Sequence, residues 1–272
     1  MRIRITHETV YSYSEPAKSA IQLLRLTPHG YEGQTILSWS IDVDCESRLM
    51  RQEDWYGNIA HSLFVAGPVN QITLRVAGEV ETTDTAGVVK GGVERFPDIF
   101  YLRETPLTRP DAAIRDFAAA KAGTLTSPLD QAHALMNAIH ERLQFNTEAT
   151  HSATTSSDAF AAGHGVCQDF THIFLAAART LKIPARYVSG YLHKPGETHQ
   201  DAGHAWAEAL IPGLGWVSFD PANIVSTTEH YVRLAIGLDY LDAAPVRGSF
   251  YGISSETLNV RLRIDSARQA QA

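Results

Sequence analysis

Cys167 lies in the stretch Gly163-His164-Gly165-Val166-Cys167-Gln168-Asp169-Phe170, where a loop of small residues passes into an apolar helical pattern. A thiol reacts as its thiolate, and the unpaired N–H groups and dipole at the start of a helix favour that form. Gly165 before it and Gln168-Asp169 after it leave room for a substrate backbone. Free cysteines also pack as small hydrophobes or bind metals, so three readings are open: nucleophile, filler and ligand.

A cysteine nucleophile needs a general base, and the base needs a group that fixes its tautomer. His204 suits the base, because it opens the alternating strand pattern His204-Ala205-Trp206-Ala207-Glu208. Asp220 suits the orienting group, closing Trp216-Val217-Ser218-Phe219-Asp220 just before Pro221. Taken singly, a solvated histidine at a strand edge and a turn-initiating aspartate before proline are equally ordinary readings. A nucleophile on a helix N-terminus, a base on one strand and a carboxylate on the next form a papain-like arrangement.

An acyl intermediate also needs donors for its oxyanion. The backbone N–H of Cys167 is one candidate, and Asn146 after Phe145 is a second, with a plain turn residue as the alternative. Gln168, in the first helical turn, is a candidate on the substrate side. Trp206 and Trp216 flank the strands as groove-lining or core aromatics, and Tyr187 and Tyr191 carry the same ambiguity. His172, one turn beyond Gln168, is expected under or beside the site. Cys167, His172, His193, His199, His204 and Asp220 include the ligand types zinc uses, but no Cys-x-x-Cys pair or His-Glu-x-x-His helix organises them. No metal or other cofactor is expected.

The elements that position these residues are legible as changes of period. From Met1 to about Glu81 the period is two: Ile3, Ile5 and His7 share one face of a strand opposite Arg2, Arg4 and Thr6. Similar stretches run over 36–43, 59–65 and 71–80, separated by turn residues, which predicts an antiparallel, sandwich-like β domain. Beyond about residue 105 the apolar spacing becomes helical over 112–120 and 130–143, with Ser127 as N-cap and Pro128 at the first helical position. A loop over 146–165 precedes a helix over 168–181 that Pro184 follows. Strands are expected over 185–192, 204–210 and 216–220, with a last one over 257–264. The expectation is an α+β protein: an N-terminal β domain over 1–105, and over 106–272 a core of helices on an antiparallel sheet, including the last strand.

Composition sets the outer bounds. The 272 residues are 44% hydrophobic and 19% charged, enough for a sizeable core, and the net charge of -7 comes without a basic cluster. That argues against a nucleic acid or an anionic membrane as partner, and leans weakly towards basic or neutral substrates. No apolar run approaches the ~18 residues of a membrane span, and the start lacks a signal-like apolar stretch, so a cytoplasmic location is expected. Cys45 and Cys167 are the two cysteines, which makes no disulfide framework. Oligomeric state is open.

GHGVCQDFTHIFLAAARTLKIPARYVSGYL and DAGHAWAEALIPGLGWVSFDPAN resemble the bacterial transglutaminase-like superfamily over about residues 128–223. The opening MRIRITHETVYSYS, with DWYGN, resembles that family's N-terminal β region, and HYVRLAIGLDYLDAAPVRGSFYG its C-terminal segment. The resemblance implies a Cys-His-Asp triad at Cys167 in GVCQDF, His204 in GHAWAE and Asp220 in GWVSFDP. It further implies attack on a carboxamide or ester carbonyl of a peptide or protein, and a thioester acyl-enzyme. Water would resolve that thioester in a peptidase or amidase, and a primary amine in a transglutaminase. Hydrolysis is the simpler expectation because the amine would need its own pocket, while a non-catalytic binding module on the same fold is a third reading.

Overall fold

The computed structural model describes residues 1–147, 150–252 and 255–266. The first half is strand: β1 (Arg2–Leu24), β2 (Gln34–Val43), β3 (Ser47–Glu53), β4 (Ile59–Thr82) and the short β5 (Val88–Val89). Then follow α1 (Ala112–Ala122), α2 (Pro128–Arg142), β6 (Gln144–Phe145), α3 (Ser156–Ala162), β7 (His164–Gly165) and α4 (Cys167–Thr180). The chain ends with β8 (Ala185–Leu192), β9 (His199–Gln200), β10 (His204–Ile211), β11 (Gly215–Phe219), β12 (Tyr231–Gly237), α5 (Tyr240–Ala243), β13 (Val246–Tyr251) and β14 (Glu256–Ser266).

β1 obeys its alternation: Ile3, Ile5, His7, Thr9, Tyr11 and Tyr13 are buried, while Arg2 and Arg4 are exposed and pair with Glu79. Its whole length pairs antiparallel with β4, with register shifts between Ser12 and Ser19. Those shifts bend the sheet, and residues from both sides of the bend, Tyr11, Ile72 and Val76 with Ala20, Leu24 and Leu63, share one apolar cluster. One bent sheet thus serves as the expected sandwich. The stretches expected as two strands over 59–65 and 71–80 are the single β4.

The second sheet, in the order β12-β8-β10-β11-β5, is antiparallel. Ala205, Ala207 and Ala209 of β10 join α4 in the largest core cluster, because small side chains let a helix lie close on the sheet. On the other face, Tyr191, Val232 and Leu234 pack against Ile3, Ile5 and Val80 of the first sheet. Helices, second sheet and first sheet therefore form successive layers, which accounts for β8 and β12 being buried along their whole lengths.

The last strand was expected with the core. Instead β14 pairs with β1 over Ile3–Tyr13, and β13 with Ser19–Leu24, completing the first sheet. Leu262 and Ile264 bury beside Ile3 and Ile5, so the apolar alternation identified a strand whose partner lies at the far end of the chain. In return, β5 joins the edge of the second sheet beside β11. β3, α3, β12 and β13 were not expected from the sequence. Among the described residues, no helix is long and apolar enough to cross a membrane.

Candidate active site

Cys167 is the first residue of α4 and is partly exposed. Two features fix the turn that carries it. The Asp169 carboxylate reaches back to accept the Val166 N–H at 2.8 Å and the Thr150 hydroxyl at 2.6 Å. Thr171 donates its hydroxyl to the Cys167 carbonyl at 2.7 Å. A Cβ on Gly165 would meet Asp169 Oδ2 at 2.6 Å, so glycine is required for the carboxylate to sit there. At the other end of α4, buried Arg179 donates to the carbonyls of Tyr101, Ala185 and Leu238 and to Thr108 Oγ1, tying the helix to β8 and the C-terminal half.

His204 opens β10 with only a small part of its side chain exposed. Its Nε2 is 2.5 Å from Asp220 Oδ2, and Cys167 lies close enough to the ring to add to the rise of its pKa. With Nε2 engaged by the carboxylate, Nδ1 is the ring nitrogen left for proton transfer. Burial disfavours the charged imidazole, but the Asp220 charge and hydrogen bond, joined by those of Cys167, outweigh it and push the pKa up to about 10.

Asp220 is fully buried and saturated with donors. Oδ2 accepts from Tyr231 Oη at 2.8 Å and Asn223 Nδ2 at 2.7 Å, and Oδ1 from the backbone N–H groups of Ala222 and Asn223 at 3.0 and 3.2 Å. Burial alone would raise its pKa; His204, Asn223 and Tyr231 together hold it below the usual carboxylate range. Neither Tyr231 nor Asn223 was singled out in the sequence. Asn223 follows the Asp220-Pro221 turn closely enough to have been considered, whereas Tyr231 arrives on β12.

The structure thus brings Cys167, His204 and Asp220 together and sorts the other candidates. The parallel pairing of β6 with β7 lays Phe145 beside Gly165, and the Asn146 N–H donates to the Gly165 carbonyl at 2.9 Å, two residues before Cys167. Gln168 is partly exposed in the same turn as Cys167. Trp206 corrects the groove reading: it is 2% exposed, lies against the His204 ring and meets Tyr231 edge-on at 5.3 Å. It is a floor under the imidazole, seated on Gly190, where a Cβ would meet it at 2.5 Å. Trp216 is buried as well, beneath the Arg186 guanidinium at 3.8 Å. His172 is fully buried and neutral, its pKa lowered to about 3 by burial and then by Arg179, and its Nε2 accepts the Tyr240 N–H. Among the described residues no three of His, Cys, Asp and Glu are grouped to hold a metal ion.

A cavity of about 170 Å³ opens beside His204, lined by Phe145, Lys194, Ala222 and Asn223.

Residues 115–221 match the transglutaminase-like superfamily, and residues 3–81 the bacterial transglutaminase-like N-terminal region. An uncharacterized protein of Mycobacterium leprae is 29% identical, covering 97% of this chain and 98% of its own. A protein-glutamine gamma-glutamyltransferase of Pseudomonas aeruginosa is 33% identical over 46% of this chain and 22% of its own. A solved structure from Cytophaga hutchinsonii, described as a candidate cysteine protease, shares the fold with a TM-score of 0.79 at 23% identity, covering 100% of this chain and 92% of that one.

Proposed function

This chain belongs to the transglutaminase-like superfamily, and from that premise we propose that it is a thiol-dependent acyl-transfer enzyme acting on peptide or amide bonds through Cys167, His204 and Asp220. The observation that carries this reading is His204 itself, bonded through Nε2 to a buried Asp220 carboxylate 2.5 Å away and close enough to Cys167 for the sulfur to add to the rise of its pKa.

The Cys167 thiolate attacks the carbonyl carbon, and the carbonyl electrons move onto oxygen, towards the N–H groups at the head of α4. As the tetrahedral adduct collapses, the C–N bond breaks and His204 gives its proton to the departing amine. A thioester is left on Cys167. His204, now neutral, takes a proton from water as the water oxygen attacks the thioester, and the acid leaves with the thiolate restored. Asp220 keeps the ring oriented and stabilises its charged form throughout. Hydrolysis is the simpler outcome, because water needs no pocket of its own whereas an amine must be bound. Transfer to a primary amine is the second reading, suggested by the stretch shared with the Pseudomonas glutamyltransferase.

Incubation of wild type and Cys167→Ala with a vinyl-sulfone peptide library, followed by intact mass measurement, tests the nucleophile. Addition to wild type alone is expected, and iodoacetamide should alkylate Cys167 well before Cys45, whose thiol burial and then Asp44 push up. Equal, slow reaction of both cysteines would remove the catalytic reading. Release of product by water or by a fluorescent primary amine then separates hydrolysis from transfer.

A further inference from the structure

The outer edge of β13 and β14 borders a groove that leads to the catalytic histidine. A cavity of about 520 Å³ is lined by Val246 to Phe250, Glu256 and Leu258 on one side and by Tyr240 and Leu241 on the other. A second, of about 150 Å³, continues it along Leu258 and Val260 to Asp201, Ala202 and Gly203, the residue before His204. Tyr11, Tyr240, Val246 and Leu258 line both. Tyr240 also faces Tyr187, ring centroids 6.3 Å apart, and Tyr187 lies close enough to Cys167 for the thiolate charge to help raise its pKa, after burial.

The register shows which backbone groups face this groove. The Ser14 N–H donates to the Ser255 carbonyl, so in the antiparallel pairing with β1 the inward-bonded residues of β14 are Thr257, Asn259 and Arg261. Glu256, Leu258, Val260, Leu262 and Ile264 point their N–H and C=O groups away from β1. β9 takes up the end of that edge, pairing with Leu262 and receiving the Ile264 N–H at the Thr198 carbonyl. Then the chain turns off through Asp201–Gly203 to reach His204. Among the described residues, no other strand pairs with this edge, so the groups of Glu256, Leu258 and Val260 face the groove in line with β9. The Arg25 N–H bonded to Pro245 O fixes the same alternation in β13, turning Val246, Gly248 and Phe250 outward. Exposed strand edges are normally blunted by lysine or proline, and residues 246–260 contain neither.

Building on the acyl-transfer reading above, we propose that this edge is the polypeptide-binding subsite of the enzyme: an extended segment of the substrate adds as a strand against Glu256–Val260, in line with β9, and is thereby led past Gly203 to His204 and Cys167. Alternate outward N–H and C=O groups bind any extended backbone, and flanking Tyr11, Tyr240 and Phe250 select side chains. The first sheet would then be a working wall of the active site.

The test compares rates of covalent labelling by a capped single-residue vinyl sulfone with rates for two longer peptide vinyl sulfones, one extended on the acyl side and one on the leaving-group side. At least one longer probe should label wild type faster. Leu258→Pro removes an outward N–H and spares the pairing with β1, so it should lower that probe's rate roughly fivefold to tenfold below that of Leu258→Ala, which truncates the same side chain and keeps the N–H. In wild type, single N-methylation along the favoured peptide should slow labelling at alternate residues only, a readout independent of how the variant folds. Uniform or absent effects of N-methylation, or no gain from peptide length while the short probe still labels Cys167, would overturn the subsite and leave the enzyme reading intact. No labelling of wild type by any probe would overturn the enzyme reading and the subsite with it.

Discussion

His204 and Tyr231 meet at one atom: both bond Asp220 Oδ2, His204 through Nε2 at 2.5 Å and Tyr231 through its hydroxyl at 2.8 Å. The tyrosine therefore fixes the oxygen that orients the imidazole, from a strand on the far side of the sheet. Asp220→Asn should keep the fold and lower acyl transfer by roughly 100- to 10,000-fold, because the wrong tautomer faces the thiol. Tyr231→Phe should cost about 1.5–3 kcal/mol of stability, the worth of a buried hydrogen bond to a charged acceptor, and slow turnover less than Asp220→Asn does. Steady-state rates and urea midpoints on the two variants check this, and a fully active Asp220→Asn would dismiss the orienting role.

The same pair gives the protein a defined response to pH. His204 is raised from 6.5 to about 10, so its contribution to stability is complete below pH 6.5 and is lost as pH rises through 10. Asp220 is lowered from 3.8, so its contribution is present above that value and is lost as acid protonates it. The stability advantage of wild type over His204→Gln should accordingly shrink from pH 6.5 to pH 10. Denaturant midpoints of both proteins across that range measure it, and a constant difference would mean that the ring is not held charged.

How much of this site was legible before folding depends on how local each signal is. Cys167, His204 and Asp220 each stand at the end of an element that its own neighbours mark: Gly165 before a helix, a run of alternating alanines, a proline after an aspartate. Tyr231 has no such mark. It lies in Tyr231–Gly237, a strand buried on both faces, so the period-two signal that exposed the other strands is absent, and its role comes from pairing with β8. Trp206 alternated as expected, but whether a large aromatic beside a sheet lines a groove or floors a histidine depends on what covers it. β14 was readable as a strand, though nothing in residues 256–266 names β1 as its partner.

Gly165 and Asp169 form a tight pair that sets the nucleophile's helix. Gly165→Ala would force the carboxylate off the Val166 N–H, and Asp169→Ala removes it altogether. Both changes should destabilise by about 1–2 kcal/mol, the range for a lost helix-start bond, and both should slow alkylation of Cys167. Asp169→Asn keeps an acceptor oxygen and should fall between these and wild type. Thermal melts beside iodoacetamide rates test the link; melts that move while the thiol rate stays put would confine the pair to a structural role.

Four residues along β10 from His204, Glu208 anchors the middle of the strand. Its fully buried carboxylate receives Arg186 Nε at 2.7 Å and Arg233 Nε at 2.8 Å, and Arg186 in turn binds the half-exposed Glu94 at 2.9 Å. Burial raises the Glu208 pKa, but the two guanidiniums outweigh it and hold the carboxyl below its usual range. Removing one partner from such a group leaves uncompensated charge in the interior, so Glu208→Ala should cost about 3–5 kcal/mol. Glu94→Ala, acting on the solvent side, should cost under about 1 kcal/mol. Replacing the charges together, as in Glu208→Leu with Arg186→Met and Arg233→Met, should recover part of the loss, because three apolar side chains of similar size need no partners there. Urea unfolding of the three variants separates these outcomes, and a Glu208→Ala loss no larger than that of Glu94→Ala would show that the buried arginines find other acceptors.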